Sequence, residues 1–138
     1  EPLRALVPEL PASSRAARVE AMLGEVGLGG DVAARYPHQL SGGQLQRAGI
    51  ARALVVDPAF LVCDEPVSAL DVSVQGQIVN LLARIRRERG VACLFISHNL
   101  AVVAHLADRI VVMQRGRIVE SGTRDAILGA PHHPHTRM

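Results

Sequence analysis

The sequence predicts an α/β fold with a mostly parallel sheet flanked by helices. Three observations carry this. Two short, continuous apolar runs, at 59–63 and 91–96, read as buried parallel strands. Stretches with apolar residues at helical spacing precede and separate them. Polar residues collect where each run ends: Asp64 and Glu65 after the first, Ser97 and His98 after the second. In parallel α/β sheets, ligands bind beyond the carboxyl ends of the strands.

The elements follow in order. Residues 1–11 hold Pro2, Pro8 and Pro11 and read as irregular. A helix starts with Ser13 or Ser14 as N-cap, places Val19, Met22, Leu23 and Val26 on one face, and ends at Gly27, Gly29 and Gly30. That glycine cluster follows a helix instead of a strand, so it reads as a turn. A second helix opens at Ser41, where Ser41-Gly42-Gly43-Gln44 fits the S-x-x-Q capping box. Leu45, Ala48, Ala51, Leu54 and Val55 form its apolar stripe, and Asp57-Pro58 stops it. After the strand at 59–63 comes a helix over 73–89, with Val74, Ile78, Leu81, Leu82 and Ile85 inward and Gly90 closing it. The strand at 91–96 leads to a short helix over 99–107. Residues 109–113 and 117–120 form a hairpin turned by Gly116, making the sheet mixed. Thr123 caps a last helix through Leu128.

Composition narrows the chemistry. The chain has 138 residues, enough for one domain or part of one, and at 49% apolar and 20% charged it is globular rather than disordered. Aromatics are 2%, so the core is aliphatic. All 15 basic residues are Arg. The absence of Lys excludes a Schiff-base lysine and a G-x-x-x-x-G-K-[ST] phosphate loop within these residues. Net charge is +2, and the one cluster, Arg84, Arg86, Arg87 and Arg89, reads as a solvated helix face. Without interleaved aromatics, no nucleic-acid partner is expected. No apolar run reaches membrane-spanning length and no signal peptide is expected. Cys63 and Cys93 then read as buried structural thiols of a reducing compartment.

Four places carry chemistry. Asp64 and Glu65 are adjacent acids delivered to the sheet edge, and neighbouring residues of an extended chain point different ways. One carboxylate suits Mg²⁺ through water and the other a nucleophilic water, the two tasks of phosphoryl transfer; alone the signal is weak, since many strands end in acids, and two solvated loop acids are the other reading. The helix start at Ser41 to Gln44 offers unpaired N–H groups, two glycines and the positive end of a dipole, suited to a terminal phosphate. An ordinary cap worth about 1 kcal/mol is the other reading, and spacing alone leaves the two level. His98 ends a predicted strand as Asp64 does, so the two are expected to converge. Ser68-Ala69-Leu70-Asp71 follows in a loop able to link sites.

Together, in this order and spacing, these elements resemble the ATP-binding cassette (ABC) ATPases over nearly the whole chain. Leu40-Ser41-Gly42-Gly43-Gln44 is similar to the signature motif. Phe60 to Glu65 resembles the Walker B strand with its glutamate, Ser68 to Asp71 the D-loop, and His98 the switch histidine. The stretches Tyr36-Pro37-His38-Gln39-Leu40, Asp64 to Ser73, and Gly116-Arg117-Ile118-Val119-Glu120 resemble the branch of oligopeptide, dipeptide and nickel importers. His133-Pro134-His135-Thr136 resembles its His-Pro-Tyr-Thr motif, with His replacing Tyr. That motif accounts for the cluster of His132, His133 and His135 better than a metal site. Leu45 and Asn99 depart from the usual residues.

The resemblance implies a P-loop NTPase-like core. Residues 1–56 would be part of the helical signature subdomain, and 57–138 the carboxyl-terminal part of the α/β ATPase core. Walker A and the Q-loop lie outside these residues, so the chain is expected to be a fragment, inactive alone. The resemblance further implies ATP and Mg²⁺ as ligands and a head-to-tail pair of ATPase subunits. Glu65 would act as general base, Asp64 would organise Mg²⁺, and His98 would contact the γ-phosphate. Ser41, Gly42, Gly43 and Gln44 would bind the partner's γ-phosphate, and Ser68 and Asp71 would link the sites across the interface. Implied partners are a second ATPase subunit, integral membrane permease subunits and, indirectly, an extracytoplasmic solute-binding protein, with the ATPase peripheral on the cytoplasmic face of the inner membrane. Two alternatives remain: a soluble, non-transport cassette ATPase, and a non-catalytic module supplying a signature motif in trans.

Overall fold

A proline-started helical turn opens the chain. In the computed structural model, which describes residues 1–137, α1 spans Pro2–Leu6. This stretch was expected to be irregular. Proline at the first helical position loses no hydrogen bond, so Pro2 favours the turn. Next, α2 spans Ala12–Glu25, two residues or so earlier than a serine cap would start it. Pro11 takes the cap position with ψ 151, which leaves Ser13 and Ser14 inside the first turn. Gly27 at φ +75 turns the chain out of α2. Two 3₁₀ turns, Gly30–Ala34 and Pro37–Gln39, lead to α3, Gly42–Leu54.

Then come β1 (Phe60–Asp64), α4 (Val72–Arg89) and β2 (Ala92–Ile96). Strands β1 and β2 are parallel, with Leu61 opposite Cys93 and Asp64 opposite Ile96. Gly90 closes α4 at φ 65. This is the helix-connected parallel pair that the two apolar runs predict. Their expected burial on both faces is not observed. Leu61 and Cys63 are buried, whereas Phe60, Val62, Leu94 and Ile96 are exposed. Period-2 side chains give each strand two faces; the described residues bury one face of β1 and leave β2 with no buried residue. Cys93, expected to be buried, is exposed although it lies on the same face as Leu61 and Cys63, and both cysteines are free.

The core of this part is aliphatic, as the composition requires. Val26, Leu54, Ile78 and Ile85 are the most completely buried, so α2, α3 and α4 each contribute.

Residues 1–96 form one compact unit and a second opens at Ser97. Within the second unit lie α5 (Leu100–Leu106), the antiparallel pair β3 (Arg109–Gln114) and β4 (Arg117–Thr123), and α6 (Arg124–Gly129). Arg115 and Gly116 turn the hairpin at φ 50 and 75, the double left-handed step of a tight two-residue turn. Thr123 accepts from the Ala126 N–H at 3.3 Å and caps α6 as expected. Among the described residues the hairpin is a two-stranded sheet of its own, so the single mixed sheet expected from sequence is replaced by two sheets.

A helix start, a strained acid and an arginine frame

The amino end of α3 is built as its sequence dictates. Ser41 Oγ accepts from the Gln44 N–H at 3.3 Å, and the Ser41 N–H donates to Gln44 Oε1 at 3.0 Å. This reciprocal box leaves Gly42 and Gly43 as the first two residues, whose N–H groups no helix can satisfy internally. They point along the axis with the dipole's positive end behind them. Such a donor set fits one phosphate oxygen face. It holds no carboxylate for a cation.

The glycines also have a packing role. A Cβ on Gly43 would stand 2.8 Å from Val74 Cγ1, and one on Gly42 3.3 Å from Leu70 Cδ2. The structure therefore brings the Ser41–Gln44 segment against the loop that holds Ser68 and Asp71. That loop is a run of turns. The N–H and Oγ of Ser68 both donate to the Glu65 carbonyl, at 3.3 and 3.1 Å, and Gln75 Nε2 donates to the Leu70 carbonyl at 2.9 Å. Asp71 is the N-cap of α4 yet makes no side-chain cap bond, and its side chain is exposed.

Asp64 is exposed at the end of β1. Glu65, half-buried, takes φ 47, a left-handed backbone that costs a non-glycine residue about 1–2 kcal/mol. Strain of this kind persists where the surroundings fix it and is concentrated at functional sites. Its N–H donates to the Ile96 carbonyl at 3.0 Å, which ties the turn to the end of β2. His98 follows Ile96 by two residues, is exposed, and belongs to the second unit, where Asn99 caps α5 by accepting from Ala101 N–H at 3.1 Å. Among the described residues no cluster of three or more His, Cys, Asp or Glu side chains could hold a metal. Asp64 fits an ion that keeps most of its waters, as Mg²⁺ does. The histidines 132, 133 and 135 likewise form no such cluster.

The arginines were underestimated by sequence reading. Arg84 Nη2 donates to the Glu25 carbonyl at 2.6 Å, Arg47 Nη1 to the Val26 carbonyl at 2.7 Å, and Arg18 Nε to the Val55 carbonyl at 2.6 Å. Each satisfies a carbonyl that the end of α2 or α3 leaves unpaired. Arg89 bridges Glu25 at 2.5 Å and Asp57 at 2.6 Å, and Arg18 also reaches Asp57 at 3.3 Å. The Arg89 guanidinium holds the Glu25 carboxyl below its usual range, and Glu25 in turn raises Arg89. The expected solvated face is thus, at Arg84 and Arg89, a frame that fixes α2 and α3 on α4. Sequence shows only a run of arginines near the end of one helix, whereas the Glu25 carbonyl that Arg84 meets and the Glu25 and Asp57 carboxylates that Arg89 meets lie 59, 64 and 32 residues away.

In the second unit, Glu120 accepts from the N–H groups of His132 and His133 at 2.8 and 3.1 Å. With the Thr136 side chain as the largest influence, then these N–H groups, its carboxyl is lowered to about 2. Two stretches that look unrelated in sequence, 116–120 and 132–136, are one local structure.

Residues 4–68 match the sequence model of the ABC transporter family. The chain is 53% identical over 137 residues to the oligopeptide transport ATP-binding protein OppF of Escherichia coli, covering 99% of this chain and 41% of that protein. It is 51% identical over 123 residues to OppF of Bacillus subtilis, covering 89% and 40%. The glutathione import ATP-binding protein GsiA of Shigella flexneri is 53% identical over 128 residues, covering 93% and 20%. The chain spans about two fifths of the length of the OppF relatives. A solved structure, the dimeric post-hydrolysis state of the ATP-binding cassette MJ0796 bound to ADP and Pi, is 30% identical with a TM-score of 0.72, over 83% of this chain and 49% of that one. No described helix is long and apolar enough to cross a membrane.

Proposed function

This chain is homologous to the ATP-binding subunits of ABC importers, and from that premise we propose that it is part of an ATP-hydrolysing subunit that powers import of peptides or a related solute such as nickel. The observation that carries this reading is the α3 amino end. Ser41 and Gln44 lock one another, and two glycines present unpaired N–H groups outward. Ser41, Gly42, Gly43 and Gln44 bind the γ-phosphate of an ATP cradled by a second ATPase subunit.

Glu65 orients and deprotonates the attacking water from its left-handed backbone position directly after Asp64. Asp64 would hold Mg²⁺ through water, and the ion would neutralise phosphate charge. His98 contacts the γ-phosphate. Ser68 and the uncapped Asp71 make the interface contact between subunits. ATP binding closes the pair and hydrolysis reopens it, a ligand-driven population shift passed to membrane permease subunits and, through them, to a solute-binding protein outside. The subunit sits peripherally on the cytoplasmic face of the membrane.

The test is purification of the intact gene product from membranes. The expected result is co-purification with integral membrane subunits and ATP turnover stimulated by a peptide-loaded binding protein. Co-purification with ribosomes or DNA instead would overturn the transport reading. The 138-residue chain alone, with no Lys-bearing phosphate loop, is expected to show no Mg²⁺-dependent ATP turnover.

A further inference from the structure

The signature glycines face two directions at once. Outward they bare N–H groups, and inward they leave no room for a methyl group. The inward contacts are with Leu70 and Val74 of the same chain, which flank Asp71 on the loop and on the first turn of α4. The 2.8 Å spacing at Gly43 is shorter than any carbon contact tolerates, and the neighbour is the branched Cγ1 of Val74, a side chain stiff at χ1. The 3.3 Å spacing at Gly42 is milder, because Leu70 Cδ2 is the far end of a flexible side chain.

Resting on the function proposed above, we infer that Val74 and Leu70 are positioning residues. They set how deeply the amino end of α3 seats against the Ser68–Asp71 loop, so the phosphate-facing N–H groups and Asp71 keep a fixed spacing. The glycines are then required by the protein's own packing as well as by the approach of a ligand. A bridge close to the same end of α3 makes this seat rigid. Arg47 joins the Val26 carbonyl to Gln77 of α4, at 2.7 and 3.1 Å, one turn below the box. A push at Gly43 is therefore transmitted to the Ser41 hydroxyl rather than absorbed by tilting of the helix.

The experiment is a double-mutant cycle in the intact gene product carrying Glu65→Gln. It reads the ATP concentration that gives half-maximal dimer trapping, with thermal unfolding followed in parallel. Gly43→Ala should raise that concentration by about tenfold in the Val74 background, and by less than about threefold when Val74→Ala is present. Gly42→Ala, set against Leu70→Ala, should show the same rescue with a smaller first effect, and serves if Gly43→Ala does not fold. Equal impairment in both backgrounds would overturn the inference while leaving the phosphate reading intact, since the glycine would then be needed by the ligand alone. No ATP-dependent dimer in the parent Glu65→Gln protein would overturn the functional reading, and the inference with it.

Discussion

The Glu65 N–H donates to the Ile96 carbonyl at 3.0 Å while Glu65 itself sits at φ 47. One ladder bond beyond the end of β1, the chain thus swings into a conformation that glycine accepts readily and glutamate does not. A cost of about 1–2 kcal/mol is retained at the residue assigned to activate water.

Two substitutions separate the backbone cost from the chemistry. Glu65→Gly should raise thermal stability, by about 1 kcal/mol, because glycine relieves the left-handed strain. Glu65→Gln should keep the fold and ATP binding of the intact gene product but lower turnover by roughly 10²–10⁴-fold, the usual worth of a positioned base. Calorimetry and steady-state ATP turnover are the measurements. Near-normal turnover of Glu65→Gln would remove Glu65 from its assigned role.

The pairing of Glu25 with Arg89 predicts a pH-dependent contribution to stability. Glu25 titrates below its ordinary 4.5 when folded, so its contribution is present above that value and fades as pH falls through the lower folded value. Glu25→Gln should destabilise the protein by about 1 kcal/mol at pH 7. The difference from wild type should shrink below pH 4.5. Denaturant titrations at pH 7 and pH 3.5 compare the two, and a gap that stays constant would contradict the assignment.

Glu120 makes a sharper prediction in the second unit. Its carboxyl is lowered to about 2, so the loop at 132–136 should stay pinned from neutral pH down past 4.5 and loosen only as pH approaches 2. Amide exchange at His132 and His133 reports this directly. Glu120→Ala should abolish their protection at every pH. Retained protection in that variant would show that another group holds the loop.

The two thiols should differ in reactivity. Burial, and then the nearby Cys93, pushes the Cys63 thiol up to about 11, and partial burial also raises the Cys93 thiol. Cys93 lies opposite Leu61 and Cys63 opposite Phe95, a diagonal offset too long for a disulfide between flat strands. Maleimide should label Cys93 slowly and Cys63 only on unfolding. Equal labelling of the folded protein would contradict the observed burial.

The sequence made the capping elements legible, because their chemistry is local. Ser41 with Gln44, Thr123 with Ala126 and Gly90 at the end of α4 stand where spacing alone puts them. Asp64 and Glu65 end β1 for the same reason, since an apolar run must stop where polar groups need water. What depends on distant partners was not legible. Arg84 and Arg89 gave no sign of their carbonyl and carboxylate partners on α2, and Glu120 none of the loop it holds. The continuous apolar runs predicted strands buried on two faces. They report the hydrophobicity of Phe60, Val62, Leu94 and Ile96, not whether residues within reach cover them. Nor does a Gly-Gly pair reveal that Val74 and Leu70 press on it from behind.

The most direct test is the structure of the intact gene product trapped with ATP as a Glu65→Gln dimer. The Ser41 hydroxyl and the Gly42 and Gly43 N–H groups are expected within about 3 Å of γ-phosphate oxygens of an ATP held by the other subunit. An ATP-bound dimer in which the amino end of α3 faces solvent, far from either triphosphate, would contradict the account.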